Sequence, residues 1–367
     1  MPSLRNELPS WEPAVAAELM RAQRNVHLIG RTTPSNLTEE LVRLEGCFRK
    51  NTEPTLRFTY ESAPPGPLER ELSELGDKLD SIAEPLALTY AARARELALE
   101  QSLCTSVGQL GFWSKARRRF TTHELPDPRA DALADAWLSS QELQEDGAHP
   151  ASGSLSDDEQ NPESLVQRMR SAVGARRLPF RVLVSDRLSA LAATGNGVIW
   201  VASGRRLLPE AVARTVLHEV DGHALPRSLA DGLALGLFRL GSAGGSDDQE
   251  GRALVLEDRA GFLQNERRLE LARRHLACRR VEAGEPFGST VDALTHVGTP
   301  LATALRIAAR AHRGGGLGRE AVYLRSYLRV SDALNAQPSL DEVLGKGRIS
   351  VTAAPLVAPW LHLPSHS

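Results

Sequence analysis

The stretch Val216-Leu217-His218-Glu219-Val220-Asp221-Gly222-His223 carries the strongest signal in this sequence. A histidine followed directly by glutamate, with a second histidine shortly after, is how one helix supplies two imidazoles to zinc and a carboxylate to the attacking water. The histidines are usually four residues apart, whereas here they are five apart. On a regular helix this spacing separates the side chains by roughly 140°, so the helix must widen or stop between them. Gly222 and the nearby Pro226 predict that regular helix ends near Gly222 and that an irregular turn returns His223 to the site.

Two extended segments precede this motif. Residues 180–185 alternate like a half-buried strand, and residues 198–202 form a second strand after a turn at Gly195-Asn196-Gly197. Pro209 favours the start of the motif helix, because proline is tolerated in a first helical turn. Strands that lead into such a helix predict a small sheet beside the active site, where an extended peptide can pair.

A catalytic zinc needs a third protein ligand and one open position. Ser246-Asp247-Asp248-Gln249 has the spacing of a capping box, which predicts a helix with Ser246 as its cap. Glu250 lies in the first turn of that helix, after a glycine-rich loop, and is the preferred third ligand. The alternatives are Asp247, Asp248, Glu257 and Asp258.

Two further glutamates have expected roles at such a site. Glu219, between the two histidines, is placed to act as the general base toward the attacking water and then to protonate the leaving amine. Glu257 lies seven residues after Glu250 and therefore on nearly the same helix face. It is expected to hold one histidine ring by its other nitrogen.

Composition narrows the class of protein. The chain has 367 residues, 25% charged and 41% apolar, which is typical of a globular protein. A net charge of -2 gives no basis for nucleic-acid binding, and the oligomeric state stays open. Three scattered cysteines indicate a reducing compartment. No signal-like start and no apolar run of about 18 residues is present, so no membrane association and a cytoplasmic location are predicted.

The predicted fold class is α+β, mainly helical, with a zincin-like metallopeptidase core and a small sheet beside the active-site helix. Residues 1–150 form a mostly helical N-terminal region. An acidic segment rich in Ser, Gly and Pro, at 141–164, overlaps its end and connects it to the core. Residues 165–337 form the core, and residues 338–367 form a tail that packs on it. Within the core, helices are expected from Ser246 to about Arg280 with one interruption, and from Thr290 to His312 with a bend at Pro300. Residues 313–316 are expected to form a loop.

The motifs resemble those of the QEGLA-motif family, whose domain is shared with the microtubule-associated tyrosine carboxypeptidases. The resemblance rests on the segment 218–223 and on Gln249-Glu250-Gly251-Arg252-Ala253, and it extends weakly over most of the chain. It implies that zinc is held by His218, His223 and Glu250 and that Glu219 is catalytic. The family usually has threonine and then asparagine-glycine after the second histidine, whereas this chain has Pro226 and Leu229-Ala230. Specificity for a terminal tyrosine is therefore not carried over.

We predict a zinc metallopeptidase that removes C-terminal residues from a peptide or protein with a free C-terminus. Such an enzyme needs a cation for the terminal carboxylate, for which Arg313 is the candidate, and Tyr323 is a candidate donor to the oxyanion. The alternatives are an endopeptidase, an enzyme similar to dipeptidyl peptidase III, whose HExxGH motif also fits, and a zinc-bearing binding module without hydrolytic activity.

Overall fold

The computed structural model describes residues 7–120, 128–140, 153–186, 188 and 190–362. Helices dominate, beginning with α1 Glu12–Gln23, α2 Leu28–Thr32, α3 Leu37–Arg49, α4 Leu68–Asp80, α5 Pro85–Thr105, α6 Phe112–Phe120 and α7 Pro128–Ser139. The strands are β1 Ser154–Leu155, β2 Arg181–Ser185, β3 Ala192–Gly195, β4 Val198–Ala202 and β5 Arg206–Leu207. The helices around them are α8 Leu165–Ala175, α9 Pro209–Val216, a π-helix Leu217–Ala224, α10 Leu225–Ala230, α11 Leu237–Leu240 and α12 Gly245–Arg259. Then follow α13 Asn265–Glu282, α14 Phe287–His296, α15 Leu301–Gly316, α16 Val322–Ala336, α17 Leu340–Leu344 and α18 Ala354–Val357, with 3-10 turns at Arg319–Ala321 and Ala358–Trp360.

This order confirms a mainly helical α+β protein with a small sheet and a helical N-terminal third. Among the described helices, none is both long and apolar enough to span a bilayer. The core helices differ in detail from the prediction. The expected interruption lies between α12 and α13, but the expected bent helix is two helices, because the chain leaves the helix at His296 and Pro300 caps the next one.

Contacts divide the chain into two compact units. The first unit comprises Met1–Ala17, Asp146–Gln264 and Ser326–Ser367, and the second comprises Glu18–Glu145 and Asn265–Arg325. The domain boundaries predicted from the sequence stay a prediction.

The larger sheet of the first unit has the strand order β2-β4-β3. β4 is parallel to β2 and antiparallel to β3, with Gly195 opposite Val198. The turn between β3 and β4 has positive φ angles at Asn196 (49°) and Gly197 (71°), as a two-residue hairpin turn requires. Both predicted strands are confirmed. β3 was not predicted, because Ala-Ala-Thr-Gly has little of the β-branched or aromatic pattern of a strand.

One face of this sheet is covered by α8 and the motif helix. Met169 from α8, Ile199 from β4 and Val220 from the π-helix are fully buried in one apolar cluster. Val182 from β2 and Val212 from α9 complete that layer. The motif helix is therefore held against the sheet by its apolar side, which leaves its histidines on another side.

Helix α12 carries Glu250, and its first turn is fixed by residues near the C-terminus of the first unit. The backbone N–H of Val351 donates to Oδ2 of Asp248 over 2.8 Å, and Arg329 Nε donates to the other oxygen of that carboxylate over 2.8 Å. A Cβ on Gly245 would collide with the carbonyl group of Arg348, so the two segments touch backbone to backbone. These contacts define where α12 begins.

All elements described in the second unit are helical. It contains buried ion pairs, as in Arg310, which donates to Glu320 over 2.9 Å. Burial raises the pKa of Glu320, but the surrounding arginines outweigh that effect and lower it to about 2. His312 lies beside Thr290, with 2.8 Å between the threonine hydroxyl and Nε2. Burial lowers the pKa of His312 to about 4.

Candidate metal centre

The π-helix brings His218 and His223 together. Hydrogen bonds in a π-helix join residues five apart, so residues with that spacing lie on successive turns of one face. The two Nε2 atoms are 3.2 Å apart, and both rings are buried. The expected end of the helix near Gly222 is wrong: the helix widens and continues directly into α10.

Gly222 and Pro226, which suggested a helix end, have other structural roles. Pro226 lies in the first turn of α10, where its missing N–H is tolerated. Gly222 faces α12, and a Cβ at this position would lie 2.7 Å from the Cβ of Ala253. Glycine therefore lets the π-helix and α12 approach closely.

Glu250 reaches the histidines from α12. Its Oε2 lies 3.4 Å from Nε2 of His218 and 3.6 Å from Nε2 of His223. The three residues form the group of metal-type ligands found among the described residues, with all donor atoms within 4.8 Å of one another. The preferred third residue is thus brought to the two histidines.

The remaining ring nitrogens are held by α12 as well. Nδ1 of His218 lies 2.6 Å from Oε1 of the fully buried Glu257, and Nδ1 of His223 lies 3.1 Å from Oε1 of Gln249. Because both acceptors are oxygens, each Nδ1 donates a hydrogen bond, and each Nε2 is left on the side of the ring that faces Glu250. The expected contact of Glu257 with a histidine is present.

Gln249 has a different role from the one expected. The helix starts one residue before Ser246, after Gly244 in a left-handed conformation (φ 70°), and no side-chain cap is made. The capping box is therefore wrong. The glutamine side chain lies instead beside Nδ1 of His223.

The donor set fits a zinc ion. A tetrahedral zinc with bonds of about 2.0–2.1 Å separates its ligand atoms by about 3.3 Å. The three observed separations, 3.2, 3.4 and 3.6 Å, lie close to that value. Burial alone lowers the pKa of His218, but hydrogen bonds to the carboxylates of Glu250 and Glu257 outweigh it and raise the pKa to about 10. The pocket thus favours a positive charge between its donor atoms.

Glu219 is buried beside this group and is held by β3. The hydroxyl of Thr194 donates to Oε2 of Glu219 over 2.7 Å. Nη1 of Arg227 in turn donates to the carbonyl oxygen of Thr194 over 2.7 Å. Sequence analysis did not find Thr194 or Arg227, because no motif contains them and their contacts join distant parts of the chain.

The two candidate substrate-binding residues lie in the second unit. Arg313 is buried where α15 breaks, since its ψ is 150° and Gly314 has a φ of 73°, which confirms the predicted loop. The N–H of Gly314 donates to the hydroxyl of Tyr60 over 2.7 Å. Tyr323 is buried, with the guanidinium of Arg274 5.6 Å from its ring centre. Their roles toward a carboxylate and an oxyanion stay predictions.

Comparison with known proteins identifies one family. Residues 48–363 match the sequence profile of the family described as microtubule-associated tyrosine carboxypeptidase. The match spans most of the chain and both units. No curated protein matches this sequence.

Proposed function

The chain belongs to the microtubule-associated tyrosine carboxypeptidase family, and on that premise we propose that it is a zinc-dependent peptidase. Its proposed reaction is the removal of C-terminal residues from a peptide or protein. The observation that carries this proposal is the convergence of two Nε2 atoms and one carboxylate oxygen at separations of 3.2 to 3.6 Å. Both rings are held at Nδ1, which is the arrangement that orients metal-binding histidines in proteins.

His218, His223 and Glu250 would hold the ion, which leaves a fourth position open. When bound, zinc would lower the pKa of a water molecule and polarise the carbonyl group of the scissile bond. Glu219 accepts the proton of the attacking water and passes it to the leaving amine. The Thr194 hydroxyl fixes one oxygen of that carboxylate, so the other oxygen takes part in proton transfer.

The first unit supports a zincin-like core for this reaction. Its small sheet packs on the helix that carries the two histidines, and the third ligand comes from a later helix. The segment after His223 contains Pro226 and Leu229-Ala230 where the family usually has threonine and asparagine-glycine. We therefore propose a free C-terminus as the substrate feature and leave the preferred terminal side chain open.

Metal analysis and peptide digestion test the proposal. The purified protein should contain about one zinc per chain, and mass spectrometry should show that peptides lose residues from the C-terminus only. Amidated peptides should resist cleavage, since an exopeptidase reads the free carboxylate. Internal cleavage of amidated peptides would indicate an endopeptidase, and a protein without zinc or hydrolysis would overturn the proposal.

Replacing Glu219 by glutamine (E219Q) separates an enzyme from a binding module. The variant keeps all three ligands, so its zinc content should not change. Its rate of hydrolysis should fall by about 10²- to 10⁴-fold, because the general base is lost. The matched control is E210Q, since Glu210 is an exposed glutamate in the first turn of α9. Hydrolysis that persists in E219Q at the rate of E210Q would exclude Glu219 as the base.

A further inference from the structure

Arg227 is a half-buried cation with few partners. Within the described ranges its side chain makes one hydrogen bond, from Nη1 to the carbonyl oxygen of Thr194. Its Nε is buried and has no acceptor. Arg310 also has a buried Nε without an acceptor, but it forms an ion pair with Glu320 at 2.9 Å, which Arg227 does not have with any described acidic residue. A guanidinium has five donors in a rigid fork, and leaving them without acceptors inside a protein is unfavourable.

The position of Arg227 relates it to the candidate metal centre. It follows His223 by four residues on the same continuous helical segment. Its partner Thr194 also holds Glu219, so Arg227 and the proposed base contact opposite groups of one residue. Burial lowers the pKa of Arg227, while the charges of Glu219 and Glu250 act in the opposite direction. The charges of both carboxylates thus act on Arg227, although no ion pair joins it to either of them in the described part of the chain.

Metal binding would change the electrostatic environment of Arg227. A zinc ion held by Glu250 would offset the negative charge of that carboxylate, so Arg227 would have less compensation than before. A negatively charged group that entered the site would then compensate the charge of Arg227 again. The planar fork of arginine suits a carboxylate in particular, because two parallel N–H donors match its two oxygens.

β3 gives a peptide a place beside this cation. It is one of the two edge strands of the sheet β2-β4-β3, and it pairs only with β4 among the described strands. An extended peptide can add to such an edge through backbone hydrogen bonds. Arg227 contacts β3 at Thr194, one residue before the strand ends at Gly195. A peptide that lies along β3 would therefore pass the guanidinium group.

We propose that Arg227 binds a carboxylate of the peptide substrate, a role that rests on the proposed peptidase function. The carboxylate has two possible sources, the free C-terminus and an acidic side chain near the scissile bond. Both present the same chemistry to a guanidinium. They are distinguished by peptides that carry one carboxylate, the other, both or neither.

Binding to an inactive protein tests the proposal without hydrolysis. The probes are pentapeptides of alanine with a terminal tyrosine, made as free acids or amides and with alanine or glutamate before the tyrosine. Calorimetry compares E219Q with E219Q/R227Q. Glutamine at position 227 can still donate to the carbonyl of Thr194, so β3 keeps its contact. Loss of Arg227 should weaken binding of the recognised carboxylate by about tenfold or more and leave the neutral peptide unchanged.

Two outcomes would overturn the proposal. One is that R227Q weakens all four peptides equally, which would indicate a role in supporting β3. The other is that E219Q itself does not distinguish charged from neutral peptides. The control is E219Q/R176Q, because Arg176 has the same charge but forms a two-point ion pair with Asp221 at 2.8 and 2.9 Å. Hydrolysis and zinc content of the unmodified protein test the proposed function separately, so a failure of the Arg227 role is distinguished from a failure of the peptidase function.

Discussion

Glu257 acts on the metal centre through one hydrogen bond. Its carboxylate lies 2.6 Å from Nδ1 of His218 and is fully buried. Replacement by glutamine (E257Q) keeps an acceptor oxygen but removes the charge that makes the imidazole more basic. Zinc affinity should fall by about 10- to 100-fold, as for other partners of metal-binding histidines. Competition with a zinc-chelating dye measures this change.

The exposed control E210Q should bind zinc like the parent protein. Thermal unfolding of E257Q without zinc should be recorded as well, because a general loss of structure would also weaken binding. If E257Q is folded and binds zinc as tightly as E210Q, the contact with His218 has no role in metal affinity.

Among individual residues, the sequence predicted those that belong to a motif. His218, Glu219 and His223 follow from their spacing, and Glu250 and Glu257 follow from their positions on one helix. Thr194 could not be found, because it lies 25 residues before Glu219 in a strand without a motif. Arg227 could not be distinguished by sequence from the many surface arginines, since its contact with Thr194 depends on the packing of distant segments.

Close packing of the π-helix on α12 sets the distance between the ligands of the metal centre. A methyl group at Gly222 would lie 2.7 Å from the Cβ of Ala253, well inside the 3.5–4.0 Å at which carbon atoms attract. G222A should therefore separate the two elements and lower the free energy of unfolding by about 1–3 kcal/mol. Zinc binding should weaken too, because Glu250 lies on one element and the histidines on the other. Calorimetric melting and dye competition measure both effects.

The matched control is G174A at the exposed end of α8, where an added Cβ meets nothing within 4 Å. Alanine there should raise stability by about 0.4–1 kcal/mol, because it restricts the unfolded chain. The double variant G222A/A253G removes the collision and should recover zinc affinity. A G222A protein with parental stability and affinity would contradict this account of the interface.

For the secondary-structure elements, the sequence predicted which segments are helices and strands better than it predicted the geometry of the helices. The motif helix, the strands predicted at residues 180–185 and 198–202, and the start of a helix near Glu250 were found. The π-helix was not predicted. Glycine and proline often end a helix, but here Gly222 allows close packing on α12 and Pro226 lies in the first turn of α10, and the sequence does not distinguish these roles. Only the neighbouring Ala253, which is 31 positions later in the sequence, decides between these uses.

The whole molecule combines two compact units, and each unit is built from separate parts of the chain. Residues before 18 and after 325 belong to the same unit as the metal centre, so its integrity depends on segments far apart in sequence. No local pattern encodes such a grouping. The family match, in contrast, covers residues 48–363 and does not depend on how the units are divided.

Acid stability of the whole molecule should depend on His312. Its pKa is 6.5 when exposed and is lowered by burial to about 4 in the folded protein. Between these values the unfolded chain binds a proton that the folded protein does not, so acidification favours unfolding. The contribution is present above about pH 6.5 and is lost as the pH falls to about 4. A difference of about 2.5 pKa units corresponds to about 3 kcal/mol.

The variant H312Q isolates this effect, because glutamine can still pair with the Thr290 hydroxyl but does not titrate. Melting curves should be recorded with a chelator present, so that loss of zinc at low pH does not contribute. Between about pH 7 and pH 4 the parent protein should lose about 3 kcal/mol more stability than H312Q. The exposed H296Q control on α14 should follow the parent curve. Parallel curves for the parent and H312Q would mean that the buried imidazole accepts its proton without unfolding, and the burial of His312 would then not limit stability in acid.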